Sequence, residues 1–156
     1  MNAPMLRAHR TGFPSHYDIA LGDAPATTIS ARTLRHGGDL VLDGRHYTLI
    51  ASPFGRNYRL ESAAGQPVAT AERAGLRGWN VEAEGHSYQF AQDSIGRADQ
   101  VLVEGDRRIG HVRVSGWSSR NLEADLPGLD HPVAVFVLIL TLARRQRRRR
   151  AVTIAR

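Results

Sequence analysis

An arginine block near the C-terminal end is the one group of side chains whose type and spacing indicate binding chemistry. Its members are Arg144, Arg145, Arg147, Arg148, Arg149 and Arg150. Residues 144–156 hold seven arginines and no acid, whereas residues 1–143 carry 14 arginines and 15 acids, so the net charge of +6 comes from this segment. A dense cationic segment attracts anionic partners, either phospholipid headgroups or nucleic-acid phosphates.

The other chemically active residue types form no catalytic or metal-binding pattern. The seven histidines lack the short spacing of paired metal ligands, and there is no cysteine for thiolate chemistry. Ser118 and Ser119 lack the small-residue frame of a nucleophile elbow, and the glycines fit hairpin turns better than a phosphate loop. Glu82 and Glu84 alternate on one predicted strand and are expected on its solvent-facing side. We therefore predict that the protein is not an enzyme, and we identify no cofactor.

The arginines directly follow an apolar run from Val133 to Ala143. About 11 residues make a helix of roughly 16 Å, whereas a bilayer core is about 30 Å thick and needs about 20 apolar residues. A helix that is apolar on every side must be covered by other parts of the protein. Asp130 and Pro132 provide a helix-start signal. Two alternatives stay open, a buried strand of alternating β-branched residues and a short membrane anchor.

A repeat of 41 residues indicates what covers the apolar run. The sequence aligns with itself at this offset without a gap, which pairs Tyr17 with Tyr58 and Tyr47 with Tyr88. A fainter third copy follows at the same offset. Each unit is predicted to contain four short strands separated by turn residues. The fourth position of the third unit falls on 127–132, which is too rich in proline for a strand.

The predicted strands alternate between apolar and polar residues and are joined by turns that favour positive φ, such as Asp43-Gly44. They cover 16–21, 26–32, 39–43 and 45–51 in the first unit, 57–62, 67–73, 79–84 and 86–91 in the second, and 100–104, 108–115 and 120–125 in the third. About 11–12 antiparallel strands can close into a barrel wide enough to hold a helix.

We therefore predict a mainly β fold. It is a closed antiparallel barrel of about 11–12 strands, built from three four-strand repeats, that encloses a C-terminal hydrophobic α-helix. The predicted organisation is a disordered leader at 1–15, a single barrel domain at 16–148 with its central helix at about 132–148, and a basic tail at 149–156.

Five short motifs carry a family resemblance. They are Gly65–Ala69, Gly75–Trp79, Ile109–Val112, Ala124–Pro127 and Pro132–Val137. Together with the predicted barrel and helix, they resemble the tubby C-terminal-like superfold, and most closely its small bacterial LURP-one-related and scramblase-like members. The likeness covers roughly residues 16–148. Tubby proteins bind phosphoinositides through basic surface residues and scramblases associate with membranes, so the resemblance implies a role at a membrane surface without assigning site residues.

The first functional hypothesis is a non-enzymatic β-barrel module that binds anionic phospholipid surfaces through the six arginines named above. The alternative is non-specific nucleic-acid binding through the same arginines, and a further alternative is a structural or ligand-carrier protein. The first 16 residues contain no apolar stretch long enough for a signal peptide, so a cytoplasmic location, peripheral at the membrane, is expected. The sequence assigns no metal, no small-molecule substrate and no oligomeric state.

Overall fold

A computed structural model describes residues 5–12, 16–75, 78–92, 100–115 and 121–155. Within these ranges the fold is mainly β, with twelve strands, two α-helices and one 3₁₀ turn at Pro53–Gly55. The strands are β1 Leu6–Thr11, β2 His16–Leu21, β3 Ala24–Ser30, β4 Gly38–Leu42, β5 Arg45–Ala51, β6 Asn57–Ser62, β7 Pro67–Ala74, β8 Gly78–Ala83, β9 His86–Gln92, β10 Gln100–Glu104, β11 Arg107–Ser115 and β12 Asn121–Asp125. The helices are α1 Ala31–His36 and α2 His131–Ala155.

The twelve strands form one antiparallel sheet that curves into a nearly closed barrel. Their order is β3-β2-β1-β12-β11-β10-β9-β8-β7-β6-β5-β4. The two edge strands, β3 and β4, contact each other without a hydrogen-bonded ladder, and α1 connects them. The barrel is therefore interrupted at a single position in the described sheet, between β3 and β4.

Tight hairpin turns set the register of several strand pairs. At Asp43-Gly44 both residues have positive φ, 53° and 74°, and Glu84-Gly85 repeats this conformation with 54° and 78°. Turns of this kind match the right-handed twist of the flanking strands. The predicted strand bounds agree with the structure within two residues for β2 to β12, and β2, β5, β6 and β10 have the predicted bounds.

The apolar run lies in α2 and is buried from Val133 to Ala143. Apart from Thr141, these side chains belong to the same hydrophobic cluster as the buried side chains of the strands, such as Leu60 and Phe90. The helical prediction for the run is confirmed, and the alternative of a buried strand is wrong. Among the described residues, no helix combines the length and hydropathy that a membrane span requires.

The prediction of a disordered leader is wrong for Leu6–Thr11, because this segment is β1. It pairs with β2 on one side and with β12 on the other, and Leu6 and Ala8 are buried. Two small stretches of the predicted leader, 1–4 and 13–15, lie outside the described residues. The strand was missed because it buries only Leu6 and Ala8, and because one of its two partners, β12, is remote in the sequence.

One helix is longer than predicted, and the other was not predicted. α2 continues to Ala155, so the predicted basic tail at 149–156 is helical at least up to that residue. Arginine and alanine are good helix formers, and no glycine or proline follows Pro132 to end the helix. α1 was not predicted; the strand expected at 26–32 ends at Ser30, whose side chain caps the helix by accepting a hydrogen bond from the Thr33 N–H at 3.0 Å.

Candidate functional site at the arginine end

The barrel has two distinct ends, because successive antiparallel strands reverse direction. We call one the turn end; its residues are 22–23, 43–44, 63–66, 84–85, 105–106 and 126–130. We call the other the arginine end; it comprises α1, the loop 52–56 and the part of α2 that follows Leu142.

α2 runs from the turn end to the arginine end. At its start, His131 Nδ1 lies 3.3 Å from Asp43 Oδ2. At the arginine end, the Gln146 side chain donates a hydrogen bond to the Ala31 carbonyl at 3.0 Å, and the Arg147 guanidinium donates one to the Gly55 carbonyl at 3.2 Å. These contacts fix the position of the arginine block relative to the barrel.

The structure places the predicted arginines along the last turns of α2. The side chains of Arg144, Arg145 and Arg147 are half-buried, so these three are packed at the barrel end rather than extended into solvent. The backbone of 148–150 is helical, but the side chains of these three predicted arginines lie outside the described part of the chain.

Arginines from other segments join the block, and sequence reasoning did not identify them. Arg10 of β1 and Arg145 both act on Tyr17: burial raises the pKa of this hydroxyl, and the two positive charges partly oppose that rise. Arg32 and Arg35 belong to α1, which packs against α2. The topology brings these residues together across more than a hundred positions of sequence, so no local pattern could reveal the group.

Arg147 occupies a closely fitted position next to Tyr58. Burial raises the pKa of the Tyr58 hydroxyl, and Arg147, through its charge and a hydrogen bond, opposes the shift together with Arg73. The same hydroxyl donates a hydrogen bond to the Leu34 carbonyl at 3.2 Å. Gly55 has a φ of +60°, and a Cβ there would lie 2.5 Å from the guanidinium carbon of Arg147. A larger residue at this position would therefore displace the guanidinium, and the positive φ also favours glycine there.

A cavity of about 470 Å³ opens between α1, the loop 52–56 and α2. We call it the α1 pocket. Its lining includes the buried side chains of Leu34, Tyr58 and Ala143, together with the charged or titratable side chains of Arg35 and Arg147. The sequence signals that could have located it are the cap at Ser30 and the glycine that follows His36, which together mark a short helix.

The turn end has the opposite charge. Its turn residues include five acids and no basic residue, and the acids are Asp23, Asp43, Glu84, Asp106 and Asp130. A hydrogen bond with Asp130 raises the pKa of the Glu84 carboxyl, and slight desolvation and the charge of Asp130 add to the rise, while His86 opposes it. The barrel is therefore polarised, with arginines at one end and carboxylates in the turns at the other.

The remaining residues that were considered for chemistry are not brought together. Glu82 on β8 and Glu84 in the turn that follows are both exposed, so the solvent-facing position expected of them is confirmed, although Glu84 lies one residue beyond the strand. Ser118 and Ser119 lie outside the described residues. Within the described ranges, no three histidine or carboxylate side chains are grouped as a metal site would require.

Comparisons with protein-family models, with curated proteins and with solved structures found no match. The resemblance to the tubby-like superfold therefore stays a prediction, and the geometry of the arginine end is the basis for assigning a function.

Proposed function

We propose that this protein is a non-enzymatic β-barrel module that binds anionic phospholipid surfaces through its arginine end. The observation that carries the proposal is the convergence of arginines from four separate elements of the fold. They are Arg10 of β1, Arg32 and Arg35 of α1, Arg73 of β7, and Arg144, Arg145 and Arg147 of α2. The proposed setting is the cytoplasmic face of a membrane, with peripheral attachment.

The expected strength of the interaction follows from the number of charges. Each basic residue close to an anionic membrane contributes about 1 kcal/mol, and the contribution falls within a Debye length of about 8–10 Å. Several arginines at one end act within that distance, whereas carboxylates in the turns at the other end are repelled. Charge alone thus favours an end-on orientation in which α2 points towards the lipid surface.

The finer features of the predicted fold belong to the same proposal. The first feature is that the apolar half of α2 fills the barrel interior. The second is that the barrel consists of three four-strand units, and that β1 serves as the fourth strand of the third unit. Burial of Val133–Ala143 and the contacts of α2 at both ends support the first point. β1 lies between β12 and β2, just as β9 lies between β8 and β10, which supports the second. A helix held in this way presents its arginines in a fixed arrangement.

Vesicle co-sedimentation at low salt tests the proposal. The protein should bind vesicles of phosphatidylcholine with phosphatidylserine and should not bind phosphatidylcholine alone. The triple variant Arg144→Gln, Arg145→Gln, Arg147→Gln should weaken binding roughly 100-fold, as expected for three charges at about 1 kcal/mol each. Equal binding to neutral and anionic vesicles would overturn the proposal.

Two control variants show whether the triple glutamine variant loses binding through its lost charge or through a change in structure. Arg45→Gln, Arg107→Gln, Arg108→Gln removes three exposed arginines next to the turn end and should leave binding within about twofold of the wild type. The corresponding triple lysine variant of Arg144, Arg145 and Arg147 keeps the charge and should retain most of the binding. If the lysine variant folds but loses all binding, general charge attraction is not the mechanism.

Nucleic acid is the other anionic partner that this end would attract, and the same variants decide between the two. No aromatic residue lies among the arginines at 144–150, so base stacking has no support there. If duplex DNA bound more tightly than anionic vesicles and displaced the protein from them, nucleic-acid binding would replace the phospholipid proposal.

A further inference from the structure

We propose that the α1 pocket binds a single anionic amphiphile, that is, a molecule with one carboxylate or phosphate head and an aliphatic tail. This goes beyond attachment to a charged surface, because a surface needs no cavity. The volume of about 470 Å³ falls within the range of about 300–1,000 Å³ that is typical of small-molecule sites.

The floor of the pocket is apolar and rigidly held. Leu34, Tyr58 and Ala143 are 0%, 3% and 2% exposed, respectively, and they come from α1, β6 and α2. Tyr58 is fixed further by an edge-to-face contact with Trp79, whose ring centre lies 5.6 Å away. A preformed apolar floor favours an aliphatic tail, because each buried methylene group stabilises the complex by about 0.8 kcal/mol.

The rim of the pocket is cationic. Arg35 and His36 are exposed at the end of α1, and Arg147 lies across from them on α2. The guanidinium of Arg147 keeps its positive charge in its contacts with the Gly55 carbonyl and the Tyr58 hydroxyl. None of the residues that line the pocket is acidic. The ligand head should therefore be an anion.

Two other cavities among the described residues lack this combination. One, of about 370 Å³, lies on the outer face of the sheet, where Glu72 and Glu82 accompany Arg59. The other, of about 330 Å³, lies near the turn end beside Glu82 and Glu84. Carboxylates in both linings disfavour an anionic head, so these two cavities serve as internal comparisons.

Calorimetric titration with four probes tests the inference. The probes are decanoate, decyl phosphate, decanol and inorganic phosphate, each used below the concentration at which it forms micelles. Decanoate and decyl phosphate should bind, and decanol and inorganic phosphate should bind at least about tenfold more weakly, because each lacks one half of the recognised chemistry. Equal affinity for decanol and decanoate, or for inorganic and decyl phosphate, would overturn the inference.

Substitutions on the rim and floor locate the site. Arg35→Gln should weaken decanoate binding about fivefold and leave decanol unchanged, whereas Arg108→Gln, which removes an exposed arginine near the turn end, should change neither. Ala143→Leu should weaken the binding of both decanoate and decanol, because the larger side chain narrows the floor of the pocket. If Ala143→Leu does not fold, Arg35→Gln still decides: equal effects of Arg35→Gln and Arg108→Gln would contradict a site at α1.

Further experiments identify the source of the ligand, and they separate the proposed pocket from the proposed function. Transfer of a fluorescent phosphatidic acid from vesicles to the protein would identify a membrane lipid, whereas binding of decanoate without such transfer would identify a free fatty acid. Vesicle binding without decanoate or decyl phosphate binding would overturn the pocket and keep the proposed function. Binding of decanoate or decyl phosphate without any vesicle binding would keep the pocket and overturn the proposed function.

Discussion

The two ends of the barrel are built by the same twelve described strands, yet they differ in every property that matters for binding. At the turn end most connections are two to four residues long, and they carry carboxylates. At the arginine end, α1 and the 3₁₀ turn replace tight turns, and arginines from several elements surround a cavity. The sheet ladder is also interrupted at this end, where α1 separates β3 from β4.

The difference shows how one architecture separates folding from binding. Tight turns with positive φ constrain strand register and leave little surface for a ligand. Longer connections on a rigid scaffold can carry binding residues, which is where such residues generally occur. The arginine end is therefore where function is expected, and its closely packed positions should also tolerate substitution less well than the open turns at the other end.

The largest expected contrast involves one glycine at each end. Gly37 at the end of α1 has a φ of +81°, and an added Cβ would lie 2.5 Å from the Leu49 carbonyl oxygen. Gly44 in the turn has a φ of +74° with nothing within 4 Å. Gly37→Ala should lower the free energy of unfolding by about 3 kcal/mol or more, and Gly44→Ala by about 1 kcal/mol. Urea denaturation measures both, and equal losses would mean that α1 is not tightly packed against β5.

A smaller contrast involves two buried tyrosines. Tyr58→Phe should destabilise the protein by about 1 kcal/mol, because it removes the hydrogen bond to the Leu34 carbonyl. Tyr88→Phe, near the turn end, should cost less than about 0.5 kcal/mol, since the Tyr88 hydroxyl makes no hydrogen bond to the described residues and the ring contact with His86 is kept. Thermal unfolding of the two variants gives the comparison, and a larger loss for Tyr88→Phe would contradict it.

The smallest expected effect is a pH dependence at the turn end. Because the pKa of Glu84 is raised above 4.5 in the folded protein, the folded state holds this proton more tightly than the unfolded state. The stabilisation of the folded state by protonated Glu84 is present at low pH, and it is lost as the pH rises from 4.5 through the pKa of Glu84 in the folded protein. Glu84→Gln should remove this loss and stabilise the protein at pH 7 by less than about 0.5 kcal/mol, because the pair is exposed.

Stability measured against pH for both proteins tests this prediction. Glu82→Gln, a substitution of an exposed carboxylate on β8, serves as the control and should leave the pH profile unchanged. A variant profile for Glu84→Gln that is parallel to that of the wild type would show that Glu84 and Asp130 do not interact in solution.

Much of the fold was predictable because its signals are local. Alternation along each strand and turns such as Asp43-Gly44 determine where β2 to β12 begin and end within about two residues. The apolar run from Val133 to Ala143 predicted a buried helix for the same reason, since eleven neighbouring residues carry the signal.

The parts that were missed depend on contacts that are remote in sequence or on short signals. β1 contributes only two buried side chains, Leu6 and Ala8, and pairs with a strand near the other end of the chain. α1 has six residues, and its capping serine also fits the end of a strand. At the candidate site, the arginines of α2 were predicted, whereas Arg10, Arg35 and Arg73 join them only through the topology.

The placement of β1 has a consequence for how the chain reaches its native state. His9 and Asn121, which contact each other across the β1–β12 ladder, are 112 positions apart. During synthesis, β1 emerges first but gains its second neighbour only when β12 has appeared, and the apolar segment of α2 appears later still. Native pairing on both sides of β1 must therefore form late, and contacts of such wide sequence separation slow folding. Until then the apolar faces of the strands are exposed, and the incompletely folded chain is prone to aggregate with other copies.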